Sequence, residues 1–176
     1  MSVEVREARP EEYHAIAELT VAAYAALPGM GPLGAYGEEL ADIAGRGPTA
    51  VVLVAVQDGE LLGNVTYYPR YSHAMAQLAE TLGELAGFRM LATAPAAQGR
   101  GVGAALTMAC VQRARAEGAP GIALHTTNLM QAAQRLYHRL GFSRWTVLDR
   151  SFGRSRPVQV LGFALLFDKT LFDNAA

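Results

Sequence analysis

A strand-like run, Phe88 to Thr93, ends before Pro95 and passes through Gln98-Gly99-Arg100-Gly101-Val102-Gly103 into a helical run that continues to Glu117 and stops at Gly118. A glycine-rich turn that opens a helix gathers several backbone N–H groups at the positive end of the helix dipole. Such an end holds an anion, a pyrophosphate for example, without needing a lysine, and residues without Cβ let phosphates approach the amides closely. Two other phosphate motifs fit poorly. A P-loop needs Gly-Lys-Ser/Thr at its end, and the only lysine of this chain is Lys169. A dinucleotide fingerprint needs a further glycine at position 106, which is Leu106. The bland alternative is a turn that merely joins strand to helix.

The rest of the chain supplies a sheet and its covering helices. Val3 and Val5 alternate with charged residues as a half-buried strand does, and Pro10 opens a helix whose apolar face, Ile16, Leu19, Ala23 and Tyr24, runs through Pro10 to Leu27. The run Pro28 to Pro48 is rich in Gly and Pro, with an amphipathic piece at Tyr36 to Ile43, and is expected to be a mobile flap over an acceptor. Thr49 to Gln57 and Leu61 to Tyr68 are strands joined at Asp58-Gly59, a hairpin signal. Arg70 to Leu85 hints at helix but is cut by Gly83 and Gly87. Gly121 to Thr127 is strand-like, Leu129 to Leu140 helical with Gly141 at its end, and Trp145 to Arg150 strand-like again. A polar turn, Ser151 to Pro157, leads to a last strand, Val158 to Phe167. This order predicts an α/β (α+β) chain: a mixed sheet covered by helices in a single domain spanning residues 1–176.

Composition narrows the function. At 176 residues and a net charge of -1, with acids and bases interspersed, the chain has a core large enough to stand without metal or disulfide and lacks the basic face of a nucleic-acid binder. No stretch is apolar for long enough to span a membrane, and the first residues carry acids where a secretory signal carries bases, so a cytoplasmic location is expected. Cys110 is the only cysteine, which leaves a small buried hydrophobe as its expected role.

Residues Phe88 to Phe142 resemble the GNAT acetyltransferase superfamily. The family pattern Gln/Arg-x-x-Gly-x-Gly/Ala stands here as Gln98 to Gly103, and its second signature, Leu-Tyr followed by Gly-Phe, stands as Leu136-Tyr137 and Gly141-Phe142. The resemblance implies an N-acetyltransferase that uses acetyl-CoA as co-substrate, without metal, to acetylate an amine on a small molecule or a protein N-terminus. It implies that Leu91, Ala92 and Thr93 pair with the pantetheine arm and that Gln98, Gly99, Arg100, Gly101, Val102, Gly103 and Ala104 cradle the pyrophosphate. It further implies that Tyr137 protonates the departing thiolate; the residues themselves allow a core aromatic there as well, because Leu129, Ala133, Leu136 and Leu140 form an apolar stripe with Tyr137 at its edge.

Departures from the family pattern leave the base open. Met130 stands seven residues before the Tyr, where many members have Asn, and Asn128 nearby is the substitute. Gly87 stands where some members carry an acid. Local candidates for the base are His125, on the strand before the Tyr helix, and Glu84, with Glu80 beside it; Tyr67, Tyr68, Tyr71 and His73 are candidate pocket walls. Arg150, Arg154 and Arg156 make a basic turn. A non-catalytic acyl-CoA-binding sensor is the rival reading, favoured by Met130 and Gly87. The last strand is apolar enough to pair with its counterpart in a homodimer.

Overall fold

The first alternation forms strand β1 (Glu4–Glu7), and Pro10, whose fixed φ suits a first turn, opens a 3-10 turn, Pro10–Glu12, that runs into helix α1 (Tyr13–Ala25). Helix α2 (Ala35–Ala41) and the 3-10 turn Ala44–Arg46 follow. Strands β2 (Val51–Gln57) and β3 (Glu60–Tyr68) are joined by Asp58 at φ 53° and Gly59 at φ 82°, the double positive φ of the tight hairpin turn. Arg70 to Leu85 holds two 3-10 turns, Tyr71–His73 and Ala76–Leu78, and the single-turn helix α3 (Ala79–Leu82). Then come β4 (Ala86–Thr93), α4 (Val102–Ala116), β5 (Gly121–Thr127), α5 (Gln131–Arg139), β6 (Ser143–Arg144), β7 (Arg150–Phe152) and β8 (Val158–Leu166). This computed structural model describes residues 2–152 and 158–168; residues 153–157, where most of the polar turn was expected, with Arg154 and Arg156, and residues 169–176, with Lys169, lie outside the described residues.

The strands form one mixed sheet in the order β1-β2-β3-β4-β5-β8-β6, with β7 also paired to β8. The chain divides into two compact units, Met1–Tyr67 with Arg89–Ala109, and Tyr68–Phe88 with Cys110–Ala176. Among the described residues no helix is long and apolar enough to cross a membrane.

In the first unit β1, β2 and β3 are antiparallel neighbours, and Ile16 of α1 packs with Ile43, Val52, Val54 and Val56. Two buried polar ties fix the helices to β3. The Asn64 amide donates to the Thr20 hydroxyl at 2.8 Å, and the Arg46 guanidinium donates to the Thr66 hydroxyl and, at 3.0 Å, to the Leu40 carbonyl. The expectation of a mobile flap over Pro28 to Pro48 is therefore corrected for its second half. Leu40, Ile43 and Arg46 are buried there, whereas three of the four glycines at positive φ, Gly29, Gly31 and Gly34, fall in the first half and Gly47 follows Arg46.

Arg6 and Glu12 form a two-pronged pair at 2.7 and 2.9 Å, and the Arg9 N–H adds a third donor at 2.8 Å. Chiefly through the Arg6 hydrogen bond, the Glu12 carboxyl is held down at about 2, against an ordinary value of 4.5. A carboxylate lowered in the folded state contributes stability above its unfolded value and loses it as pH falls through the folded one. The thermal midpoints of wild type and Glu12→Gln are thus expected to differ above about pH 5 and to converge as pH falls from ~4.5 to ~2. A gap independent of pH would remove the ion pair as its source.

In the second unit Ala86–Phe88 of β4 run parallel to β5, and β8 is antiparallel to β5 on one side and to β6 and β7 on the other. Both edges of β8 are thereby occupied. This corrects the expectation that Val158 to Phe167 pairs across a homodimer. The strand expected over Trp145 to Arg150 is also corrected: the chain arches through a 3-10 turn, Thr146–Leu148, between β6 and β7. Side chains take over the ladder at this arch. Asp149 accepts from the Gly162 N–H at 2.8 Å, while Arg144 donates to the Gly162 carbonyl at 2.6 Å and pairs with Asp149 at 2.7 Å. Gly162 is needed beneath, because a Cβ there would lie 2.4 Å from Leu148 Cβ.

Candidate active site

The first unit carries the turn expected to bind an anion. The Ala105 N–H donates to the Gly101 carbonyl at 2.9 Å, the first bond of α4, so the N–H groups of Val102, Gly103 and Ala104 precede the helical ladder. Gly99 and Gly101 adopt φ 77° and 80°, a left-handed conformation that residues with a Cβ resist, and Gln98 to Gly101 are exposed. No acid lies in the first turn of α4. Arg100 donates to the neutral Gln57 side chain at the end of β2, which leaves its positive charge beside the backbone donors of the turn.

The helix start is seated by a glycine that the sequence reading passed over. A Cβ on Gly63 would come within 2.6 Å of the Ala92 carbonyl and 2.9 Å of Val102 Cγ1, so only glycine lets β3 accept this strand and helix so closely. On β4, Leu91 and Thr93 are half-buried and Ala92 is buried. Met90, between them and the first half of the strand, has φ 57°. A long side chain held in that region costs on the order of 1–2 kcal/mol and interrupts regular strand geometry beside the residues expected to pair with pantetheine.

The second unit carries Tyr137, His125, Glu84 and Asn128. Tyr137 lies at the centre of an aromatic cluster, its ring 5.9 Å from those of Phe88 and Phe142 and 6.0 Å from that of Phe163. It is the buried residue of α5, which corrects its expected place at the edge of a stripe; Leu129, Ala133, Leu136 and Leu140 are only half-buried. The second signature also has a local structural meaning. The Phe142 N–H donates to the Tyr137 carbonyl at 3.0 Å and the Gly141 N–H to that of His138 at 3.1 Å, with Gly141 at φ 90°. These are the two bonds of a Schellman cap, and the Tyr137–Phe142 ring contact is its usual hydrophobic clasp. Burial pushes the Tyr137 phenol up, so the hydroxyl is protonated at neutral pH while the tyrosinate left after donation is disfavoured.

The other three candidates are engaged. His125 Nε2 lies 3.0 Å from the Leu148 carbonyl and Nδ1 lies 3.0 Å from the Tyr71 hydroxyl. A carbonyl only accepts, so Nε2 carries the proton of the neutral ring and Nδ1 accepts from Tyr71. Glu84 is exposed and ion-paired with Arg70. Asn128 continues the β5–β8 pairing: its N–H donates to the Gln159 carbonyl at 3.0 Å, and its side-chain oxygen accepts from the Gln159 N–H at 3.2 Å.

Over residues 8–142 the chain matches the Acetyltransferase (GNAT) family. A mycothiol acetyltransferase of Thermobispora bispora is 37% identical over 75 residues, which are 43% of this chain and 25% of that protein. The chain spans only 16% to 28% of the length of the curated relatives it matches. Among solved structures, the Salmonella typhimurium protein yncA, determined with its cofactor acetyl-CoA, has a TM-score of 0.71 at 20% identity, with 96% of each chain covered. A GNAT-family acetyltransferase of Staphylococcus aureus Mu50 has a TM-score of 0.73 at 12% identity, covering 95% of this chain and all of that one. At these identities the likeness is one of fold. The chain belongs to the acetyltransferase (GNAT) family.

Proposed function

We propose that the chain works as one catalytic domain that transfers the acetyl group of acetyl-CoA directly to an amine, on a small molecule or a protein N-terminus. The observation that carries this reading is the start of α4, where the amides of an acid-free first turn, ahead of the helical ladder, follow two exposed glycines at positive φ. That donor set fits a pyrophosphate. Val102, Gly103 and Ala104 would donate to it, with Gln98 to Gly101 shaping the approach. Leu91 and Thr93 would align the pantetheine arm, and backbone N–H groups of β4 near Met90 would hold the negative charge that develops on the thioester oxygen. Acetyl-CoA supplies the activated acetyl group and its thiolate leaves. Tyr137 would give that thiolate a proton, its burial keeping the phenol protonated until the charge appears.

Thermal unfolding tests the cradle. A ligand that binds only the folded state stabilises it by mass action, so acetyl-CoA at a hundred times its Kd is expected to add about 2.7 kcal/mol, or roughly 5–10 °C for a chain of this size. Adenosine, which has no pyrophosphate, is expected to do far less. Equal shifts from the two would count against an anion cradle. CoA release in the presence of primary amines then separates a transferase from an acyl-CoA-binding sensor.

A further inference from the structure

Gly87 is buried on β4, and its empty side-chain position is filled by a neighbour. A Cβ on Gly87 would lie 2.1 Å from Tyr71 Cγ and 2.3 Å from Cδ2, so the Tyr71 ring rests directly on the Gly87 backbone. Its hydroxyl lies 3.0 Å from His125 Nδ1, and the two rings are 5.6 Å apart. Tyr71 is held there by its own N–H, which donates to the Leu85 carbonyl at 2.8 Å. The imidazole is fixed from the other side. Nε2–H donates to the Leu148 carbonyl, and the arch carrying Leu148 is tied to β8 through Asp149, Arg144 and Gly162. The basic lone pair of His125 is thus aimed at the Tyr71 hydroxyl rather than at solvent.

We propose that Tyr71 and His125 form the proton-accepting pair of this chain, with the Tyr71 ring seated on Gly87 and His125 acting through the Tyr71 hydroxyl. The proposal rests on the transferase reading above. In the step, an acceptor R–NH3+ gives one proton to the Tyr71 oxygen while the hydroxyl proton of Tyr71 passes to His125 Nδ1. The amine becomes a neutral nucleophile, and the imidazolium keeps its Nε2–H on Leu148. The proton leaves by the reverse route once the product has gone. Tyr71 is fully buried, so the step requires that acceptor binding opens a path to its hydroxyl before the amine can reach it.

Asp149, paired with Arg144, interacts electrostatically with His125. Tyr137 interacts with Tyr71, while Tyr68 packs on it with ring centroids 6.5 Å apart. On the segment of Tyr71, Arg70 and Glu84 pair with each other at the surface and His73 is exposed. His125 is the positioning residue in this scheme and Tyr71 the group that meets substrate.

The test is the pH dependence of kcat/KM in wild type, Tyr71→Phe and His125→Gln, read as CoA release with alaninamide and spermidine as acceptors. Tyr71→Phe keeps the ring on Gly87, and His125→Gln changes a partly exposed side chain, so both are expected to fold and bind acetyl-CoA. Near pH 7 each is expected to be slower by about 100-fold. The deficit should shrink about tenfold per pH unit as pH rises toward the amine's own pKa, because the neutral amine then no longer needs a base. A deficit that does not change with pH, or no deficit, overturns the pair. Absence of CoA release by wild type with every acceptor overturns the transferase reading instead.

Discussion

Replacing Tyr137 by Phe is expected to slow the acetyl-transfer step by about 100- to 10,000-fold, the range contributed by a positioned general acid. The ring that packs against Phe88, Phe142 and Phe163 is kept, and the Schellman cap uses only the Tyr137 carbonyl, so the thermal midpoint and acetyl-CoA affinity should change little. This substitution therefore separates the proposed acid role of Tyr137 from its packing role. Pre-steady-state transfer with one accepted amine is the decisive measurement, because slow product release can mask a slower chemical step. Equal rates in the two proteins would leave Tyr137 as a capping and core residue, with the proton coming from elsewhere.

Gly101→Glu is expected to lower acetyl-CoA affinity by about 100-fold or more. A carboxylate about 4 Å from a phosphate costs up to roughly 4 kcal/mol of repulsion under surface screening, and the φ of 80° at this position resists any side chain. Nothing lies within 4 Å of a Cβ built on Gly101, so the added group meets no core atom and the fold should survive. Titration of acetyl-CoA by calorimetry, repeated with Gly101→Ala, separates charge from strain: the alanine variant should lose far less affinity. Unchanged affinity in a folded Gly101→Glu protein would move the pyrophosphate away from this turn.

Features written in local chemistry were legible in the sequence. Asp58-Gly59 specified its hairpin because two successive positive φ values are tolerated by few residue pairs, and Gly118 and Gly141 ended α4 and α5 for the same reason. The start of α4 and its glycines at positive φ were legible too, since they are adjacent in the chain. What could not be read depends on contacts between distant residues. Gly63 and Gly87 look like weak points within strands until Val102 and the Tyr71 ring are seen against them. Trp145 to Arg150 has the alternation of a strand, but Arg144 and Asp149 capture the Gly162 peptide and bend the chain away. His125 was legible as a candidate base, whereas its link to Tyr71 spans 54 positions and leaves no pattern in either segment. The Met90 conformation is likewise silent in the sequence, because methionine carries no preference for positive φ.

The anchoring of Arg46 on Thr66 divides the Gly/Pro-rich run into two halves with different freedom to change. Amide hydrogens near Leu40 and Ile43 should exchange slowly, with those of the sheet, while those from Gly29 to Gly34 exchange on the timescale of local opening. Insertions and substitutions can then accumulate in the glycine half without disturbing the strands. Altered acceptor preference in this chain would be sought by diversifying residues 29–34 while Arg46 and its two partners are left as they are.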